Sequence, residues 1–188
     1  MRGADTNAGG ALPYSWLPAL GTPQAGGERR SRAIFLHELR AAHRSEAALA
    51  SAAEAWMRMT QPGPLAQAFG LLREEAEEGV RRIEYILSCL GHGTQGAAPW
   101  IGQDDLVVPG SAGDAGLVSL ARWALGRMAC RMLDLRALAH DCAEYQAARL
   151  LEMSAEEMLT TARQIAAIGR VPEATGTAAP EHREWKTQ

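Results

Sequence analysis

Apolar residues spaced alternately three and four apart recur in four separate stretches of this chain, and that spacing is what most narrows the folds open to it. In the first stretch Phe35, Leu39, Ala42, Glu46, Leu49, Ala53 and Trp56 follow one another in this way, an a/d seam through three heptads. The second repeats it with Leu65, Phe69, Leu72, Ala76, Gly79, Ile83, Ile86 and Leu90. The third carries Val118, Ala121, Leu125, Met128, Met132, Leu135, Ala139 and Cys142, and the fourth Ala147 or Ala148, Leu151, Ala155, Met158, Ala162 and Ile165. Each seam predicts a helix with one buried face. Strand periodicity is absent beyond the short run Leu106-Val107-Val108.

The residues between the seams say how the helices connect. The chain has nine prolines among 188 residues, and all nine fall outside 31–61, 65–91 and 114–170. Gln61-Pro62-Gly63-Pro64 ends the first helix and starts the second, with Pro64 in the first turn, where no N–H is needed. So short a joint makes the two helices antiparallel neighbours. Gly91 follows the second seam as a left-handed cap. Residues 92–113 are too long for an ordinary helix–helix joint and predict a crossover running the length of the bundle, with Trp100-Ile101 and Leu106-Val107-Val108 tucked against it. Asp114 caps the third helix, and Asp141 with Glu144 has the form of a capping box that places the fourth at about 142–169. The expected fold is all-α: a ferritin-like four-helix bundle of two antiparallel hairpins joined by one long crossover. Residues 31–170 form the bundle, 1–30 a flexible N-terminal arm and 171–188 a flexible C-terminal tail.

Several functional classes are excluded by composition. A net charge of −3 and basic residues interleaved with acids argue against a nucleic-acid face, and no stretch reaches the length of apolar residues that spans a membrane. Cys89, Cys130 and Cys142 are odd in number and lack Cys-x-x-Cys spacing, which reads as buried or partly buried free thiols in a reducing compartment. Nucleophile and phosphate-loop motifs are also missing.

Carboxylates remain. Glu46 occupies a seam position between Ala42 and Leu49, where a charge must be paired, metal-bound or turned outward. Across the tight joint lies the run Glu74-Glu75-Ala76-Glu77-Glu78, from which Glu75 and Glu78 can meet Glu46, while Arg73, Arg81 and Arg82 can neutralise the remainder. Glu157 stands beside Met158 on the fourth helix, and His43 precedes Glu46 by three. Glu46, Glu75, Glu157 and His43 are therefore the candidate metal ligands, for iron or manganese if the carboxylate site is intact. The other reading of Glu46 is a buried ion pair with a third-helix arginine, for which Arg122, Arg127, Arg131 and Arg136 are spaced. Met128, Met132 and Met158 are either core filling or the lining of a small-molecule pocket.

The residues Phe35 to Glu46, Ala68-Phe69, Glu74-Glu75, Val80 to Gly91, Asp114 to Val118 and Leu150 to Glu157 resemble the YciE/YciF-type ferritin-like proteins of bacteria over roughly 33–168. The resemblance implies a cytoplasmic, stress-associated homodimer, with Glu46, Glu74 or Glu75, and Glu157 at positions matching a di-iron-type centre. Where the family tends to carry Glu-His-Tyr-Glu on its third helix, this chain has Leu125-Gly126-Arg127-Met128, and Glu77 and Gly79 stand where His is common. Two functions stay open on this reading. One is a divergent member with a degenerate di-metal site, acting as a dimeric binding or structural protein with a protein or small-molecule partner. The other is a di-iron or di-manganese carboxylate oxidase or peroxidase-like enzyme.

Overall fold

The computed structural model describes residues 25–108 and 113–169. Within them lie four helices: α1 (Ala25–Met59), α2 (Pro64–Cys89), α3 (Gly113–Asp141) and α4 (Tyr145–Ile168). A single 3₁₀ turn at Gln103–Leu106 interrupts the connection between α2 and α3. The expected arm before residue 25 and tail from residue 170 lie outside the described residues. α1 starts at Ala25, earlier than the seam indicates, because its first two turns carry no inward apolar residues to signal them. What favours helix there is the lack of proline and Glu28 in the first turn, where negative charge meets the positive end of the helix dipole.

The four seams all face the core. In α1 Phe35, Leu39, Ala42, Leu49, Ala53 and Trp56 are buried, and the α2 positions from Leu65 to Ile86 are buried with them. Met128, Met132 and Met158 belong to this core, packed among leucines and alanines. Trp56 and Phe69 meet edge to face, with ring centroids 5.6 Å apart.

Ends and joints follow local chemistry. Thr60 closes α1, its hydroxyl donating to the carbonyls of Trp56 and Met57 (both 3.1 Å). Gly91, at φ 76°, ends α2 in a Schellman arrangement: its N–H donates to the Ser88 carbonyl (3.0 Å) and that of His92 to Leu87 (2.9 Å). The α3–α4 joint departs from expectation. Asp141 is the last residue of α3 and caps nothing; Ala143 takes the left-handed conformation (φ 59°), and the Glu144 N–H donates back to the Ala139 carbonyl (2.9 Å). The same helix-ending motif thus operates without glycine, and Glu144, not Asp141, precedes α4.

The crossover climbs α1 from its middle toward its C-terminal end. Arg40 Nε donates to the Gly93 carbonyl (2.9 Å), Ser45 Oγ accepts from the N–H groups of Trp100 (2.8 Å) and Ile101 (3.3 Å), and Trp56 Nε1 donates to the Leu106 carbonyl (3.2 Å). Ile101 and Leu106 are buried, as the sequence predicts, whereas Val107 is exposed. The Trp100 ring is held by two residues that also hold each other: Glu38 accepts from its Nε1 (2.8 Å), Arg131 lies over its ring at 5.2 Å, and Arg131 pairs with Glu38 (2.9 Å). Because the crossover ends beside the C-terminal part of α1, α3 runs antiparallel to α1. Each hairpin packs closely on itself, and α1 then borders α3 while α2 borders α4.

The three cysteines are free, but Cys89 and Cys130 are exposed and only Cys142 is partly buried. Cys89 and Cys130 occupy outward helix positions, which corrects the expectation for those two thiols, while Cys142, at the end of the third seam, is partly buried as expected. Among the described residues no helix is long and apolar enough to cross a membrane.

Candidate functional site

At mid-height of the bundle one polar cavity opens among the seams. Glu46 from α1, Glu75, Gly79 and Arg82 from α2, and Ser154, Glu157 and Met158 from α4 line it, with Leu125 of α3 closing one wall. Its free volume, about 10 Å³, takes roughly one water molecule or ion.

Glu46 lies deepest, 1% exposed. Its seam position leaves the carboxyl no route to solvent, and Oε1 is buried without a hydrogen-bond partner. Burial pushes its pKa up to about 8; Arg82 opposes that shift from a distance, and the negative charges of Glu157 and Glu75 add to it. Gly79 is what makes room, since a Cβ there would stand 2.6 Å from Glu46 Oε1. Glycine in the middle of a helix costs about 1 kcal/mol relative to alanine, and here close approach requires it.

Arg82 spans the mouth from α2 to α4. Its guanidinium forks onto Glu157, Nη1 toward Oε2 and Nη2 to Oε1 (3.1 Å), and Nη1 also reaches Ser154 Oγ (3.3 Å). Glu78, one turn earlier on α2, adds a longer contact to Arg82 Nε (3.7 Å). Glu75 accepts a hydrogen bond from the buried Thr161 hydroxyl (2.6 Å). Its pKa is raised by desolvation, which the Thr161 hydrogen bond offsets in part and Glu157 reinforces.

The structure thus brings three of the four candidate ligands together. Glu46, Glu75 and Glu157 line one cavity, while His43 points to Glu84 of α2, with Nε2 and Oε1 3.0 Å apart, and takes no part in the lining. Spacing by three places His43 one strip away from the seam, and α2 intercepts it there. The arginines of α3 do not serve Glu46 either. Arg131 pairs with Glu38, Arg136 with Glu152, and Arg127 lies over the Trp123 ring. The arginine nearest the buried acid is Arg82 of α2, which pairs with Glu157 and not with Glu46, and which the sequence offers only as one of several residues neutralising the Glu run. Gly126, though on α3 near the level of the cavity, is not part of it; nothing lies within 4 Å of a Cβ added there.

The residues present do not fit a two-cation centre. Such a centre needs carboxylates and imidazoles from all four helices, and here α3 contributes Leu125, no imidazole reaches the cavity, and one of three acids is engaged by a fixed guanidinium. Among the described residues no group of three or more His, Cys, Asp or Glu side chains converges as a metal site.

The sequence matches no protein-family model and no curated protein. Among solved structures the fold is similar to that of the E. coli stress protein YciF, with a TM-score of 0.64 and 19% identity over 74% of this chain and 94% of that one. It is also similar to YcfI of Rhodopseudomonas palustris, with a TM-score of 0.61 and 17% identity over 72% and 92% of the two chains. The ferritin-like bundle expected from the residues is therefore the fold of this chain.

Proposed function

We propose that this chain is a divergent YciE/YciF-type protein of the bacterial cytoplasm. In this reading it acts as a homodimeric binding or structural protein in a stress setting and has given up di-metal chemistry. The observation that carries the reading is the fork of Arg82 onto Glu157 inside the carboxylate cluster. A permanent positive charge there neutralises the acid that would otherwise help to hold a cation, and it repels any cation entering the cavity. The protonated state favoured for Glu46 acts in the same direction, because a neutral carboxyl is a poor metal ligand. Coverage of 94% of the YciF chain supports a similar overall architecture, and YciF's description as a stress protein supports the setting.

Metal analysis tests it. The protein is purified without chelator, incubated with ferrous iron or manganese, desalted and measured by mass spectrometry of the elements. The expected result is no stoichiometric metal. Two ions of iron or manganese per chain would overturn the reading in favour of a carboxylate oxidase or peroxidase-like enzyme built on Glu46, Glu75 and Glu157.

A further inference from the structure

α3 carries a second seam on the side away from the core. Trp123, Gly126, Cys130, Leu133 and Ala137 follow in steps of three, four, three and four, which sets them on one strip of the helix opposite Ala121, Leu125, Met128 and Met132. The strip faces outward: Trp123 is 47% exposed and Leu133 40%, and Cys130 is exposed with them. α3 is consequently the least amphipathic of the helices, apolar on both sides, although only one side meets the core. A two-sided apolar helix in a bundle calls for a partner on its second side.

The order of residues along the strip identifies that partner. When the strip is laid against its own reverse about a point near Cys130, Trp123 falls opposite Ala137 and Leu133 opposite Gly126, so that each large side chain meets a small one. In an antiparallel pair related by a two-fold axis the same flanks of the two helices adjoin. On one flank this sets Arg127 of each copy opposite Asp134 of the other. Among the described residues α3 forms two ion pairs within the chain, Arg131 with Glu38 and Arg136 with Glu152, and Arg127 and Asp134 are in neither. A parallel two-fold pairing would bring opposite flanks together instead and set Arg122 of one copy toward Arg127 of the other, like charge against like. The strip alone is narrow for a stable interface, which needs about 800 Å² per partner. The adjoining groove between α3 and α4, lined by Trp123, Leu159, Ala162 and Arg163, widens it.

We propose that this strip of α3 is the contact surface with a second copy of this chain, the two α3 helices packing antiparallel about a two-fold axis near Cys130. The proposal rests on the homodimer reading above and adds to it the surface and the pairing.

Sedimentation velocity on the full chain over a range of concentrations tests both levels, using wild type, Arg127→Asp, Asp134→Arg, the double charge swap and Leu133→Glu. Circular dichroism checks that each exposed-site variant keeps its helix content. Each single charge reversal breaks two symmetry-related pairs and is expected to weaken the dimer about tenfold or more, with the double swap returning close to wild type. Leu133→Glu is expected to give monomer. If wild type dimerises and no variant changes its dissociation constant, the surface is wrong and the dimer reading stands. A wild type that stays monomeric throughout overturns both.

Discussion

Glu46 carries a proton at neutral pH because three helices bury it and no basic group comes close enough to pair with it. A glutamate in the unfolded chain ionises near its ordinary value of about 4.5, whereas in the fold this one holds its proton up to about 8. The unfolded state therefore loses the proton first as pH rises. The stability linked to this group is fully present below about 4.5, declines between the two values, and is gone above about 8. The steepest loss from a single group of this kind is about 1.4 kcal/mol per pH unit. Glu75, raised in the same direction, adds to the slope. Urea denaturation at several pH values across this window is expected to show falling stability for wild type. Glu46→Gln, which is neutral and of the same shape, should flatten most of that fall and be the more stable protein at the alkaline end, by a few kcal/mol. A wild-type stability that climbs with pH over this range would contradict the assignment.

Each helix is set by a seam and its two ends, and the ends divide into those with a chemical signature and those without. Pro64 and Gly91 mark the limits of α2 because ring geometry and a left-handed φ require those residue types. The α3–α4 joint offers no such mark. Asp141 and Glu144 match a capping box by spacing, yet the chain puts a left-handed turn at Ala143 and lets α3 run on to Asp141. An alanine at φ 59° carries a cost of about 1–2 kcal/mol that glycine avoids, less the extra entropy glycine loses on folding. Ala143→Gly is therefore expected to stabilise the protein by up to about 1 kcal/mol, read as a higher denaturation midpoint with an unchanged slope. A loss of stability would mean that this joint is not left-handed in solution.

The arrangement of the whole molecule depends on the crossover. By running along α1 it carries the chain from one end of the bundle to the other, so that α3 starts beside the end of α1 and descends antiparallel to it. Ser45 is the latch: its buried hydroxyl donates to the Ala41 carbonyl (3.0 Å) and accepts from the Trp100 and Ile101 N–H groups. Ser45→Ala leaves those two amides without a partner in a region largely closed to water, at a cost of about 1–3 kcal/mol. Chemical denaturation would measure the loss, and faster hydrogen exchange at Ile101 would locate it; unchanged exchange there would show that Ser45 does not hold the crossover.

By itself the sequence determined the all-α class, the number of helices, the face each turns inward and the long connection between hairpins. All of these follow from heptad spacing and from where proline and glycine lie, and both are local along the chain. It also put Glu46 at a seam position, where the acid is either held in the core or turned outward, and the structure buries it. Only the tertiary structure decided what that acid meets. Arg82 and Glu157 are 75 residues apart, and their pairing depends on the register of α2 against α4, which no local pattern encodes. His43 and three arginines of α3 are drawn elsewhere for the same reason, His43 to Glu84, Arg131 to Glu38, Arg136 to Glu152 and Arg127 to the Trp123 ring one turn away. The protonation of Glu46 is likewise a property of the assembled bundle, because desolvation exists only once the helices have closed around it.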